Sequence, residues 1–308
     1  MASAVIDKHK PRDWDEKPDE PIRIPDLFVS FLCQEPKPHP SHEKVKKASE
    51  DWFADVLHLS KTQRSKHWDY DLPYFVSVWM KHASEESYKI VSDWDNWVFC
   101  FDDLFDDDDL ERNDTDRAAK EVEVVLNITK GKHDPKDDVH EGVMISALRY
   151  MYCDVWERIV QNSTPVIQQR VAEAMEYYLQ GILNCVRVEA GDIERDLEKL
   201  IEFRRGGIGV EPCIALAEFA GKLNVPEKFF RSSVAQELRN CTTDLVFLQN
   251  DIISYHREHD MGVTHNLISF LRSEGYTQQQ AYDKMDEMLR ERYKMWYRIL
   301  SEIPIYDE

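Results

Sequence analysis

An all-α chain, folded as one helical bundle behind an extended arm, is what this sequence predicts, and three observations predict it. Seven of the 13 prolines lie in the first 40 residues, leaving six for the following 268, and proline breaks helix interiors. Apolar residues recur at helical spacing through 72–101, 139–160, 166–189, 234–255 and 278–300, with no alternating strand pattern and no internal repeat. Between those runs stand segments that combine Gly or Pro with capping residues: NITKGKHDPKDD (127–138), QNSTP (161–165), RRGGIG (204–209) and KLNVPEK (222–228).

Taken along the chain, Met1 to Pro40 reads as an extended proline-rich arm, and 41–308 as a single helical domain, since no Gly-rich or Ser-rich linker divides it. Long helices joined by short loops pack as a bundle. At 308 residues the chain can bury a sizeable core. Eight Trp, 13 Tyr and 13 Phe in a chain with 32% charged residues are enough to line an aromatic interior.

Charge excludes one class of partner. Lys+Arg 39 against Asp+Glu 59 leaves a net charge of -20, so nucleic acid is not expected, because phosphate neutralisation needs a basic surface. The six cysteines are scattered without a CxxC pair or zinc spacing, as in a reduced cytosolic protein. The first 20 residues have no apolar leader core, and no apolar run is long enough to span a bilayer. A cytoplasmic location is therefore expected, with the oligomeric state open and a homodimer among its forms.

The helical run from about Glu85 ends in WVFCFDDLFDDDDLE (97–111). On a helix Asp102 and Asp106 lie one turn apart, with Asp103 and Asp107 beside them. Such a pair can share a divalent ion, and oxygen-only ligation suits Mg²⁺ or Mn²⁺ better than zinc. The plain alternative is an acidic helix end in solvent. Against it, the acids follow Trp97, Val98 and Phe99 and oppose the macrodipole at a C-terminus.

A second apolar helix runs into oxygen donors at LVFLQNDIISYHREHD (245–260), where Asn250, Ser254 and Glu258 follow at i, i+4 and i+8. Two oxygen-rich stripes at the ends of two apolar helices can face each other across a bundle. Arg204 and Arg205 stand before the glycine-rich break, and guanidinium forks suit phosphate oxygens. Taken alone they are equally a basic helix end with a glycine cap.

Together these segments resemble a known family. DDLFD (Asp102 to Asp106) resembles the DDxxD motif of class I terpene cyclases, and NDIISYHRE (Asn250 to Glu258) is similar to their NDxxSxxxE motif at every defined position. Arg204, 46 residues before Asn250, resembles the family's pyrophosphate sensor, and Arg257 resembles a basic residue that fungal members use on the same diphosphate. The resemblance spans about 22–308 and is closest to the fungal sesquiterpene synthases.

It implies a single α-helical domain with an aromatic pocket, three Mg²⁺ ions and ionisation of a linear isoprenoid diphosphate, farnesyl before geranylgeranyl, followed by cyclisation. Asp102 would carry most of the metal binding in the first motif, supported by Asp103 and Asp106, while Asn250, Ser254 and Glu258 hold another ion. Arg204, Arg205 and Arg257 would contact diphosphate, and Asp102 and Arg204 count as the catalytic pair. Phe75, Trp79 and Phe99 are the expected pocket walls, since Phe75 and Trp79 are one turn apart and Phe99 lies one turn before the acids.

The chain departs from the family in two places. Members usually continue with another helix or two and an Arg-Tyr pair, whereas this chain ends 50 residues after Glu258. The C-terminal helices are thus expected to be short or absent, and the role is not carried over to Arg292 and Tyr293. Gly207 stands three residues after the sensor, where many relatives have a hydrogen-bonding side chain. A chain-elongating prenyltransferase would want a second aspartate-rich motif here, and a degenerate relative would bind diphosphate without turning it over.

Overall fold

The computed structural model describes residues 21–29, 33–106, 114–134, 136, 138, 142–193 and 196–304; among them there are helices and no strands. The order is α1 (His42–Val56), α2 (Lys61–Tyr70), α3 (Leu72–Trp79), α4 (Glu85–Asp106), α5 (Thr115–Thr129), α6 (Val143–Gln161), α7 (Pro165–Ala190), α8 (Leu197–Gly207), α9 (Val210–Ala220), α10 (Glu227–Phe230), α11 (Ser233–Asp260), α12 (Leu267–Ser273) and α13 (Gln278–Glu302).

Local signals account for most boundaries. Thr164 caps α7 with Pro165 in its first turn, Asp196 caps α8, Ser232 caps α11, and Thr277 with Gln280 forms a capping box on α13. Each cap satisfies an amide that the helix leaves orphaned. The periodic segment 72–101 is two helices rather than one: Met80 closes α3 on Val76, and the Ser84 hydroxyl accepts the Ser87 N–H at the entry to α4.

Among the described residues the apolar side chains gather in two clusters. The larger joins α1, α3 to α7 and α9 and centres on α4, where Trp97 stacks on Phe101 at 5.0 Å and lies 4.5 Å from the ring of Tyr152. Trp97 is fully buried, and an aromatic of this kind removes roughly 200 Å² from water, worth about 5 kcal/mol. The smaller cluster joins α8 and α11 to α13. Ile22, Leu27 and Val29 of the arm pack against it, and Arg23 pairs with Asp283 at 2.9 Å, so the described part of the arm is extended but docked.

One interior seam is polar. Between α1, α2 and α4, the Ser49 hydroxyl donates to Asp93 at 2.6 Å and accepts from the Asn96 amide at 3.0 Å. His67 meets Asn96 at 2.9 Å and Glu50 at 3.2 Å. Burial pushes the Glu50 carboxyl up to about 7, with Lys46 opposing, and lowers the pKa of His67.

The glycines of RRGGIG work differently from a cap. α8 runs straight through Gly206 and Gly207, and the chain turns at Gly209, whose φ is +76°. Gly181 of α7 faces them: a Cβ there would lie 2.3 Å from both Gly206 C and Gly207 N. The glycines let two helix backbones touch, two residues beyond Arg204 on α8.

Candidate active site

Three helices carry the candidate residues. α4 carries Asp102 and Asp103 on its last turns, α8 carries Arg204 and Arg205, and α11 carries Asn250, Ser254, Arg257 and Glu258. Asp102 is half-buried and Asp103 exposed; Asp106 ends α4, but its side chain and the whole of Asp107 lie outside the described residues. The buried Tyr178 hydroxyl on α7 donates to Asp102 Oδ1 at 3.0 Å.

Arg204 is buried and anchored to α11. One terminal nitrogen donates to Asn250 Oδ1 at 3.1 Å and to Asp251 Oδ1 at 2.5 Å. Burial acts against both charges and pushes the Asp251 carboxyl up, yet Asp251 holds the guanidinium above its usual range. The pair is ionised, because arginine keeps its proton in a protein and Asp251 Oδ2 also accepts the Leu267 N–H at 2.7 Å. Arg204 Nε is buried without an acceptor among the described residues. A buried N–H donor left unpaired is costly, and an anion at that edge would satisfy it.

On α11 the Ser254 hydroxyl donates back to the Asn250 carbonyl at 2.8 Å, so its lone pairs point to other partners. Glu258 Oε2 accepts from the Asn266 amide at 2.8 Å, and the same amide donates to the Asp251 carbonyl at 3.0 Å. Asn266 is fully buried and also caps α12 by accepting the Ile268 N–H. Glu189 at the end of α7 gathers the preceding loop, taking the Thr264 and His265 N–H groups at 2.7 and 2.8 Å.

The donor set is hard: two described carboxylates on α4, and an amide oxygen, a hydroxyl and a carboxylate on α11. That chemistry suits Mg²⁺ or Mn²⁺. Among the described residues no group of three or more His, Cys, Asp or Glu gathers at one point, as expected where one motif supplies a single carboxylate and part of the other is not described. Burial, with Asp103 adding, pushes the Cys100 thiol up to about 12, so it stays protonated beside the acids.

The remaining expected residues are distributed unevenly. Arg205 does not share Arg204's partners: its Nε and one terminal nitrogen donate to the two oxygens of Asp244, at 2.5 and 2.8 Å, and Arg292 of α13 joins the same carboxylate at 2.5 Å. Arg257 is exposed on α11. Phe75 and Trp79 meet edge to face at 6.2 Å, with Phe75 and Phe99 about half exposed and Trp79 half-buried against the larger cluster. Tyr178, Asp251 and Asn266 have no counterpart in the sequence reading. Asp251 alone carried a signal, lying inside the second motif.

Comparison with known proteins places the chain in a family. Residues 93–295 match the family model described as terpene synthase family 2, C-terminal metal binding. The chain is 36% identical to silphinene synthase of Penicillium patulum over 291 residues, covering 93% of this chain and 77% of that one. It is 33% identical to a (+)-eremophilene synthase of Gibberella fujikuroi, covering 93% and 79%. In three dimensions it resembles the crystal structure of a-eudesmol synthase, with a TM-score of 0.74 and 24% identity over 89% of this chain and 87% of that one.

Proposed function

The chain belongs to the terpene synthase family, and from that premise we propose that it is a Mg²⁺-dependent sesquiterpene synthase that ionises and cyclises farnesyl diphosphate. Membership carries dependence on a divalent metal; its identity as Mg²⁺ and a stoichiometry of three ions are part of the proposal. The observation that carries the reading is the buried Arg204, tied to Asn250 and Asp251 of the second motif with its Nε unsatisfied.

Asp102, Asp103 and Asp106 would hold metal on the α4 side, and Asn250, Ser254 and Glu258 on the α11 side. Bound there, the ions would supply Lewis-acid stabilisation of the charge that builds on diphosphate as the allylic C–O bond breaks. Arg204 donates to the same oxygens and holds the leaving group in register, so the electron pair departs with diphosphate and the carbon skeleton is left cationic. Arg205 and Arg257 are proposed as outer contacts; the Asp244 partnership makes Arg205 the weaker of the two. Phe75, Trp79 and Phe99 are proposed to face the cation, excluding water and offering ring quadrupoles until a proton is lost or water is captured.

No helix among the described residues is long and apolar enough to cross a membrane. The six free cysteines support a cytoplasmic location, which together with a single helical domain from 41 onward and a possible dimeric state forms part of the proposal.

The test is incubation of the purified chain with farnesyl diphosphate, with Mg²⁺ and with chelator, followed by gas chromatography and mass spectrometry of the organic extract. A Mg²⁺-dependent cyclic C15 product is expected. Diphosphate binding without any terpene product would overturn the catalytic reading.

A further inference from the structure

Tyr178 is fully buried on α7, yet its hydroxyl reaches across to α4 and donates to Asp102 Oδ1 at 3.0 Å, linking residues 76 positions apart. Its ring lies beside the backbone of another turn. A Cβ on Gly209, at the left-handed turn between α8 and α9, would lie 3.6 Å from Tyr178 Cε2, an ordinary van der Waals contact. One turn further along α7, Gly181 makes the backbone contact with Gly206 and Gly207. The phenol is thus bonded to the leading acid of the first motif and lies beside the turn that follows α8.

We propose that Tyr178 is a positioning residue that orients the Asp102 carboxylate for the metal and ties the first motif to the α8–α9 turn. The proposal rests on Asp102 being a metal ligand. A charge-assisted donor on one oxygen of a carboxylate restricts its rotation and presents the ligand in one orientation, and groups that orient a ligand govern metal affinity nearly as strongly as the ligands themselves. The plain alternative is that Asp102 merely satisfies a buried phenol.

The two are separated by Tyr178→Phe, which keeps the ring and deletes only the donor. Mn²⁺ binding in the presence of inorganic diphosphate is read by electron paramagnetic resonance of free Mn²⁺, without turnover, for the parent, Y178F, Asp102→Asn and the double variant, with a thermal melt of each. Y178F is expected to weaken Mn²⁺ binding about tenfold with an unchanged melting temperature, and to add nothing further in the D102N background. Parental Mn²⁺ affinity in Y178F, while D102N loses it, would overturn the inference and leave the ligand assignment standing. Parental affinity in D102N would instead sink the ligand assignment. A melting temperature lowered by Y178F with metal affinity intact would make the phenol a structural group and also overturn the inference.

Discussion

Substituting Gly181 by alanine tests whether the α7–α8 contact sets the active site. The added Cβ would sit 2.3 Å from Gly206 C and Gly207 N, where ordinary contact needs about 3.4 Å, so one helix must retreat by roughly 1 Å. Backbone lies on both sides, and no side chain can swing away to absorb the difference. Overpacking of this sort costs about 1–3 kcal/mol, and the higher helix propensity of alanine returns about 1 kcal/mol, leaving a net loss of about 0–2 kcal/mol. The larger effect is on chemistry, because Arg204 rides on α8 and a 1 Å misplacement of a positioning group lowers the rate by about 10²-fold. Diphosphate release from farnesyl diphosphate under saturating Mg²⁺ gives the rate, and a thermal melt gives the stability. Gly142→Ala is the control, since a Cβ there has nothing within 4 Å. A G181A protein with parental rate and a raised melting temperature would show that the glycine is incidental and that helix spacing does not set the sensor.

Three further outcomes are expected. Asp102→Ala and Asn250→Ala should each abolish cyclisation with far-ultraviolet circular dichroism unchanged; full activity in either removes that residue from the metal set. Arg204→Gln should abolish turnover and destabilise the fold by about 3–5 kcal/mol, because Asp251 is left charged and buried; a melting temperature equal to the parent's would contradict the buried pair. Glu50→Gln should stabilise the protein at high pH and not at low pH. The folded-state pKa of Glu50 lies near 7 against an ordinary 4.5, so the carboxyl destabilises nothing below 4.5 and progressively more up to about 7, reaching at most about 3 kcal/mol. Urea unfolding at pH 5 and pH 8 reads the difference, and a gain independent of pH would rule out the buried carboxyl as its cause.

Periodic segments long enough to average over many residues were legible in the sequence. The runs at 166–189, 234–255 and 278–300 correspond to α7, α11 and α13, whose ends are marked by caps the sequence displays. The run 72–101 concealed a break, because hydrophobic periodicity continues in phase across residues 80–84 while the backbone does not. RRGGIG shows the limit of glycine as a signal. A glycine marks either a left-handed turn or a close backbone approach, and only three-dimensional proximity to Gly181 separates Gly206 and Gly207, inside a helix, from Gly209, at the turn. Motif spacing singles out Asp102, Asn250, Ser254 and Glu258 as candidates because ligands from one helix must share a face. Tyr178 and Asn266 were illegible for the converse reason: each acts on a residue of another element, and no local pattern records it. Arg205 and Arg292 share Asp244 across three helices, which is equally invisible in one dimension.

The division of the apolar interior into two clusters has a thermodynamic consequence. Asp102 and Asp103 ride on the larger cluster through α4, and Arg204, Asn250 and Glu258 ride on the smaller through α8 and α11. On the proposed reading, an anion with its metal ions, gripped from both sides, would be a cross-tie between two bodies of grease, and any ligand that binds only the folded form raises apparent stability, by about 2.7 kcal/mol at a hundred times its Kd. Each catalytic cycle would then remove that tie when diphosphate leaves. The empty enzyme would be the fragile one, and Mg²⁺ with inorganic diphosphate in the storage buffer is expected to extend its shelf life.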